Sequence, residues 1–489
     1  MKKGVKLIAV ILALLAFTGV QAQEAQQFSL QQSIEYALKN RVNLKAYRNE
    51  EDIAKARVGE IRSIGLPQID VAAEVGNNFV RQKTLFDPEL FGGGPALEPF
   101  VITPEQIASG EPITLTPTYS QPGPRTEGLI AVSFVQPYAG SAVIAGSQLL
   151  FDGSYLIGLK AAKTYTELSR KSTIQSEIEV AELVSKAYYS VLVSRERIEL
   201  LNQNLARLDT LLKQTQVMFE NGVAEKLDVD RLRVSVNNLV VQKQRTERLL
   251  ELSVNQLKFQ MGMDHKEQLV LTDKLSEVEV DLAKTIGKDS FNYSNRIEYS
   301  MLETQRDLAM LDLRNKRSGY LPKLYLTARY GYNGVGSSLS DVLNVRAGYD
   351  NTTDRNYFDF GYVGVQLTVP VFDGLRKSYQ IQQSKLALEN TKLGFDFLEQ
   401  SIDLELDQAS AELTSSLELM RSQRENMELA QEIARVAKIK YQEGVGSNLE
   451  VVTAETDLRE AQTNYYAAMF DALISKVNLD KATGTLLTK

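Results

Sequence analysis

Apolar residues recur in steps of three and four along one long stretch of the chain: Val180, Val184, Ala187, Val191, Ile198, Leu201, Leu205, Leu208, Leu212 and Phe219. Ser194 and Thr215 fill the polar gaps in that seam. The spacing predicts a coiled-coil helix. Between Ser154 and Glu220 there is no proline and one glycine, Gly158, so nothing breaks the pattern. About 65 residues at ~1.5 Å each make a helix of ~100 Å. Globular helices average about 11–12 residues, so a compact domain is not expected to hold this one.

The pattern occurs twice. Adding 222 to these positions gives Leu406, Ala409, Leu413, Met420, Met427, Ala430, Ala434, Ala437 and Tyr441, again in register. The segment Phe219-Glu220-Asn221-Gly222-Val223 returns as Tyr441-Gln442-Glu443-Gly444-Val445. After each glycine a second helix is predicted, with Val229, Leu232, Val236 and Leu239 matching Val451, Ala454, Leu458 and Ala461. Phe151-Asp152-Gly153 returns as Phe372-Asp373-Gly374, and Leu66-Pro67 as Leu321-Pro322. A repeat this long is a duplicated half-molecule and not a solenoid unit of about 20–50 residues.

Between the helices the period changes to two. After Pro322, Leu324, Leu326, Ala328, Tyr330 and Tyr332 alternate with Lys323, Tyr325, Thr327, Arg329 and Gly331. After Pro67, Ile69, Val71, Ala73 and Val75 alternate with Gln68, Asp70, Ala72 and Glu74. Val363, Val365, Leu367 and Val369 alternate with Gly364, Gln366 and Thr368. Each run is roughly ten residues with one apolar face, the pattern of a transmembrane β-strand. Tyr325, Tyr330, Tyr332, Tyr357, Phe358, Phe360 and Tyr362 are placed where an interfacial aromatic girdle would sit. The first return strand has two candidates, Leu129–Pro137 and Ser141–Leu150, and Gly140 and Gly146 interrupt the pattern. Residues 77–128 hold eight of the twelve prolines and read as a long outer loop. Four strands cannot close a barrel, because bacterial barrels have at least about 8 and an open edge cannot face lipid. Two, three or four chains sharing a barrel would give 8, 12 or 16 strands.

Lys2, Lys3 and Lys6 precede a short apolar run, Leu7–Phe17, and Val20-Gln21-Ala22 resembles a cleavage site. Residues 1–22 therefore read as a signal peptide and the chain as exported. Composition then removes classes. There is no Cys and one His, His265, which excludes thiol catalysis and thiolate metal sites. No catalytic residues, metal ligands or cofactor are expected. Net charge is −7 with no basic stripe, so nucleic acid is not an expected partner.

The Leu-Pro leading into each first strand, the Phe-Asp-Gly leaving each second strand, and the aromatic-x-x-Gly turns at Gly222 and Gly444 occur twice in the same order. In these features the chain resembles the outer membrane efflux protein family, the TolC-like channel-tunnels, over essentially the whole mature length. The resemblance implies a homotrimer, a shared twelve-stranded outer-membrane barrel and a periplasmic α-helical tunnel. It also implies a periplasmic adaptor (membrane fusion) protein and an inner-membrane transporter as partners, with drugs, other small molecules or proteins as cargo. Phe219, Gly222, Val223, Tyr441, Gly444 and Val445 would form the periplasmic tip turns and the adaptor contact. Glu450 and Thr453 match the family's constriction positions, with Asp228 the first-repeat counterpart of Glu450. Thr453 departs from the acidic pattern, and Gly446 sits where related chains carry a basic residue that locks the closed state. Ser447-Asn448-Leu449-Glu450 also reads as a capping box, so Glu450 has two readings, cap and lumen.

The expected fold is mainly α with membrane β. A signal peptide (1–22) precedes a first repeat (23–262: helices 30–65, strands and outer loop 67–151, hairpin 154–262). A connecting segment (263–284) leads to a second repeat (285–489: helix 295–319, strands and loop 322–372, hairpin 375–483). The expected function is that of a passive exit duct in the outer membrane, extending into the periplasm and serving efflux or type I secretion. The rival reading is an exported periplasmic coiled-coil structural or adaptor protein.

Overall fold

The computed structural model describes residues 26–86, 97–119, 129–275, 291–346 and 355–487. The signal peptide and the end of the connecting segment, from residue 276, lie outside them. The chain divides into two units, each drawing on both repeats. One is helical, from residues up to Ile61, Ser154–Gly319 and Phe372 onward; the other is strand-rich, from Arg62–Gly153 and Tyr320–Val371.

The strand-rich unit is built on one antiparallel sheet. Its strands are β2 (Gln68–Asn77), β5 (Tyr138–Asp152), β7 (Lys323–Gly336) and β8 (Tyr357–Thr368), in the order β2-β5-β7-β8. The β5–β7 pairing therefore joins the two repeats. The register puts Val71 beside Ile144, Ile144 beside Tyr330, Ala328 beside Val363 and Leu326 beside Val365. Directly paired residues point to the same side, so the apolar sets of the separate strands merge. One face carries Ile69, Val71, Ala73 and Val75, then Ala142 and Ile144, then Leu324, Leu326, Ala328, Tyr330 and Tyr332, then Val363, Val365 and Leu367. The other carries Asp70, Glu74, Ser141, Ser147, Lys323, Thr327, Arg329 and Gln366.

Of the two candidates for the first return strand, the one containing Ser141–Leu150 is formed, running from Tyr138 to Asp152. The stretch before it contributes only β4 (Ile130–Val132), paired with β3 (Thr84–Phe86). Pro137 has no N–H to give a ladder, so a central strand cannot run through it. Gly146 pairs normally with Ile69 and Ala328 and does not interrupt. The ladder shifts instead between Leu149 and Phe151, a bulge. The aromatic cluster also divides. Tyr330 and Tyr332 lie on the apolar face, Tyr325, Phe358, Phe360 and Tyr362 on the polar one, and Tyr357 is buried, so these residues do not form one girdle.

In the helical unit, the helices expected over 30–65 are α1 (Leu30–Asn40) and α2 (Val42–Ser63). The break is at Arg41, which is extended at φ −63°, ψ 127°. Its backbone passes so close to Gly262 that a Cβ there would stand 2.9 Å from Arg41 Cα. Its guanidinium also donates to the Gln260 carbonyl at 3.3 Å. The long hairpins are α4 (Gly153–Glu220) with α5 (Lys226–Met261), and α8 (Arg376–Gln442) with α9 (Asn448–Ala482); α6 (Ile297–Ser318) precedes the second sheet segment. Tyr188 and Leu192 on α4 anchor one core with Phe28, Leu44, Leu257, Met261 and Leu473. The Tyr188 hydroxyl donates to the Phe28 carbonyl at 3.2 Å, fixing a short strand β1 (Gln26–Phe28) that pairs in parallel with β6 (Leu269–Leu271). A second core joins Leu201 and Leu208 to Leu232, Leu239, Ala434, Ala437, Val451 and Leu458, so both hairpins share it. Among the described residues no helix is long and apolar enough to cross a membrane.

Candidate functional site

The helix pairs turn through two glycines of the same design. Gly222 has φ +81° and Gly444 φ +74°, the left-handed region that a Cβ disfavours. The Val223 N–H donates to Met218 O at 2.8 Å and the Gly222 N–H to Phe219 O at 2.9 Å. In the second repeat Val445 donates to Lys440 O at 3.0 Å and Gly444 to Tyr441 O at 3.1 Å. Each turn thereby satisfies two carbonyls that a helix end would leave free. Nothing lies within 4 Å of a Cβ added at either glycine, so their requirement is conformational alone. Val223 and Val445 project from the turns, 71% and 79% exposed.

The residues that differ between the turns tie them together. Phe219 remains partly exposed, whereas its counterpart Tyr441 is buried and its hydroxyl meets Thr215 Oγ1 at 3.2 Å. Thr215 is fully buried. Gln442 Nε2 donates to Gln214 Oε1 at 3.3 Å beside it. Further along α4, Arg207 pairs with Glu455 at 3.4 Å and also donates to Asn204, whose amide donates to Gln462 at 3.0 Å. This polar ladder from α4 to α8 and α9 was missed in the sequence. Thr215, a polar residue in an apolar seam, was its one visible sign.

The candidate constriction residues do not behave alike. Asp228 is half-buried and faces Arg231 at 3.9 Å. Glu450 is exposed, and among the described residues it has no ion pair. The position matching Arg231 in the second repeat is Thr453, so the departure from the acidic pattern leaves Glu450 unpartnered. Ser447 Oγ accepts the Glu450 N–H at 3.2 Å. The reciprocal bond from the Glu450 side chain is not formed, so only half of the capping box is present and the carboxylate is free. Glu450, Thr453 and Asp457 line one groove of about 680 Å³ between α8 and α9, with Ile433, Val436, Lys440 and Leu449. Asp457, one turn beyond Thr453, supplies a second acid that the aligned positions do not contain. At Gly446 a Cβ would stand 2.9 Å from Lys440 Cβ and 3.1 Å from the Tyr441 nitrogen. A side chain there would force the turn to shift, and with Gly446 in place this chain carries no basic group at that position.

Among the described residues no group of His, Asp or Glu side chains is arranged to hold a metal. The arrangement offers a charged groove, two exposed turns and a polar tie between repeats.

A model of the outer membrane efflux protein family matches residues 135–263 and 294–485. The outer membrane protein TolC of Vibrio cholerae is 22% identical over 346 residues, covering 71% of this chain and 77% of that protein. The toluene efflux pump outer membrane protein TtgC of Pseudomonas putida is 26% identical over 332 residues, covering 66% and 64%. The solved CmeC outer membrane channel of Campylobacter jejuni superposes with a TM-score of 0.66 at 16% identity, over 93% of this chain and 85% of that one. That likeness shows the fold.

Proposed function

The chain belongs to the outer membrane efflux protein family, and we propose that three copies of it build one passive duct through which cargo leaves the cell. The protein resides in the outer membrane and extends into the periplasm, an exit duct for efflux or secretion. The observation that carries the assembly is the sheet. It has one largely apolar face, broken by Gln148 beside Leu326 and ending at Asp359, and two outer edges, on β2 and β8, that no strand of the sheet pairs. Lipid tolerates neither an open edge nor an unpaired backbone group. β8 of one copy can pair with β2 of the next, and four antiparallel strands per copy keep the alternation unbroken around a ring. Of the closures with 8, 12 or 16 strands, the family resemblance favours twelve.

In this reading the duct carries out no chemistry. An inner-membrane transporter supplies the energy and selects the cargo, drugs, other small molecules or secreted proteins. A periplasmic adaptor docks at the turns bearing Phe219, Gly222, Val223, Tyr441, Gly444 and Val445. Glu450 and Asp457, with Thr453 between them, face the narrow end of the lumen. Asp228, tied to Arg231, contributes less. Native mass measurement of the detergent-solubilised protein tests the assembly: three chains are expected, and a stable monomer with intact β-signal would refute it.

A further inference from the structure

The apolar face of the sheet does not end with its strands. The loop after β7 forms a five-residue helix, α7 (Leu339–Leu343), and that helix is held against the apolar side of the sheet at its loop end. Val342 is 1% exposed. It packs where side chains at Gly140 and Gly336 would otherwise stand, and the Tyr357 ring lies across Gly334. The Tyr357 hydroxyl donates to the Val342 carbonyl at 2.9 Å. Gly140 and Gly334 are paired neighbours on the apolar face, and a side chain at either would displace that ring. Ser338 and Asp341 close a reciprocal capping box around the helix start. Asn356 Nδ2 donates to the Asn344 carbonyl at 3.0 Å and holds the far end.

Fixed in this way, α7 exposes Leu339 (48%) and Leu343 (64%), followed by Val345 (61%). Leu339 and Leu343, four residues apart, share a flank; Ser340 and Asp341 occupy the other. The height of the strand face identifies what covers this flank. From Leu324 to Tyr332 the apolar-face positions of β7 span eight steps of about 3.3 Å, which a tilt of about 40° reduces to a height of about 20 Å. The lipid-facing band of an outer-membrane barrel is about 25 Å tall. On β8 the apolar run stops at the same level, where Asp359 pairs with Tyr332. α7 lies at the next level, over Gly334, and its leucines continue the band where the strands fall short.

We propose that α7 is an interfacial helix seating Leu339, Leu343 and Val345 at the boundary between headgroups and acyl chains of the outer leaflet. This rests on reading the sheet as part of a membrane barrel. Amphipathic helices lie at that boundary with the apolar side down, and here the sheet supplies the support that so short a helix lacks alone.

The chain has no cysteine, so single cysteines can be introduced and nitroxide-labelled without background. The variants are Leu343→Cys, Ser340→Cys, Val365→Cys and Gln366→Cys in the full-length protein, reconstituted in phosphatidylethanolamine–phosphatidylglycerol vesicles. Collision with oxygen, which partitions into lipid, is compared with collision with a water-soluble nickel chelate. The label at Leu343 is expected to meet oxygen readily and nickel several-fold less than the label at Ser340, approaching the values at Val365. A Leu343 label as open to nickel as Ser340, with Val365 still reading as lipid, overturns the proposal and leaves the barrel standing. A Leu343 label shielded from both reagents means that a neighbouring chain covers α7, and overturns it too. Nickel access at Val365 equal to that at Gln366 overturns the barrel reading itself, and the proposal with it.

Discussion

Tyr441→Phe removes one oxygen from the buried contact between the repeats and leaves the ring in place. The first repeat carries Phe219 at the equivalent position, so phenylalanine suits the backbone. What the change leaves behind is the Thr215 hydroxyl, fully buried and without the partner that stood at 3.2 Å. A buried hydrogen bond contributes about 0.5–1.5 kcal/mol net, and an orphaned polar group costs about 1–3 kcal/mol. Thr215 can turn its hydroxyl to the carbonyl four residues earlier, so a cost near the low end, about 1 kcal/mol per chain, is expected. If the bond forms only while the two turns are held together, that amounts to roughly a 5-fold shift toward the open tip in each chain. Concerted opening of three chains would multiply this to on the order of 100-fold. Open probability of the purified protein in a planar bilayer reads the shift directly. Thr215→Val combined with Tyr441→Phe removes both polar groups, so the double variant should be less perturbed than the sum of the singles, by about 0.5–1.5 kcal/mol of coupling. Additive singles, or a Tyr441→Phe channel with unchanged opening, would refute the tie.

Five further outcomes are expected. Val365→Arg, on the apolar face, should disfavour assembly in lipid by about 2–4 kcal/mol, while Gln366→Arg on the opposite face should assemble; equal damage would contradict the register. Gly444→Val should cost about 1–2 kcal/mol for its left-handed backbone and lower export while trimers persist. Gly484→Ala should unfold at a lower temperature than Gly444→Ala, because its Cβ would stand 2.5 Å from the Asn295 carbonyl oxygen. Glu450→Gln should reduce cation selectivity, since acidic rings favour cations, without loss of thermal stability, and Asp457→Asn should act in the same direction; no change from either or both together would move the gate elsewhere. Glu182 bridges Lys186 at 2.6 Å and Lys481 at 2.7 Å. Burial pushes its carboxyl up, but the hydrogen bonds from the two lysines outweigh this and hold it below the usual carboxylate value. A depressed value stabilises the fold above the unfolded pKa and is lost as pH falls through the folded one. The melting difference between wild type and Glu182→Gln, on the order of 1 kcal/mol, should therefore be full at neutral pH and vanish in acid.

The features legible in the sequence were those with a long period. A three-four seam held over dozens of residues can hardly be anything but helix, and alternation named the apolar side of β2, β7 and β8 correctly. Short or long-range features were not legible. Three residues at Gln26–Phe28 carry no periodic signal, and their strand exists because Tyr188 and β6 hold it. The break at Arg41 lies against Gly262, distant in sequence, and no glycine or proline marks it locally. The return strand was ambiguous because Gly140 looked like an interruption, when its missing side chain makes room for Tyr357 beneath α7. The polar ladder from Asn204 to Gln462 required knowing which helices face one another.

Duplication explains both why the site was visible and why its chemistry was not. The two turns keep the same glycine, the same two hydrogen bonds and the same exposed valine, so comparing the repeats finds them. On that shared frame the second repeat has diverged at the positions that decide charge. Ser447 stands where the first repeat has Glu225, and it caps α9 with its hydroxyl while Glu225 makes no side-chain cap. Thr453 stands where the first repeat has Arg231, so Glu450 is released where Asp228 is held. Asp457 stands where the first repeat has Ser235, adding a second acid to the same groove. The first change removes an acid from the second repeat, whereas the other two, loss of Arg231's charge and gain of Asp457, leave that repeat the more negative of the two around its groove. In a threefold ring the field at the narrow end would then come from three hairpins and not six, with the first-repeat hairpins acting as the supports that the polar ladder fastens to them.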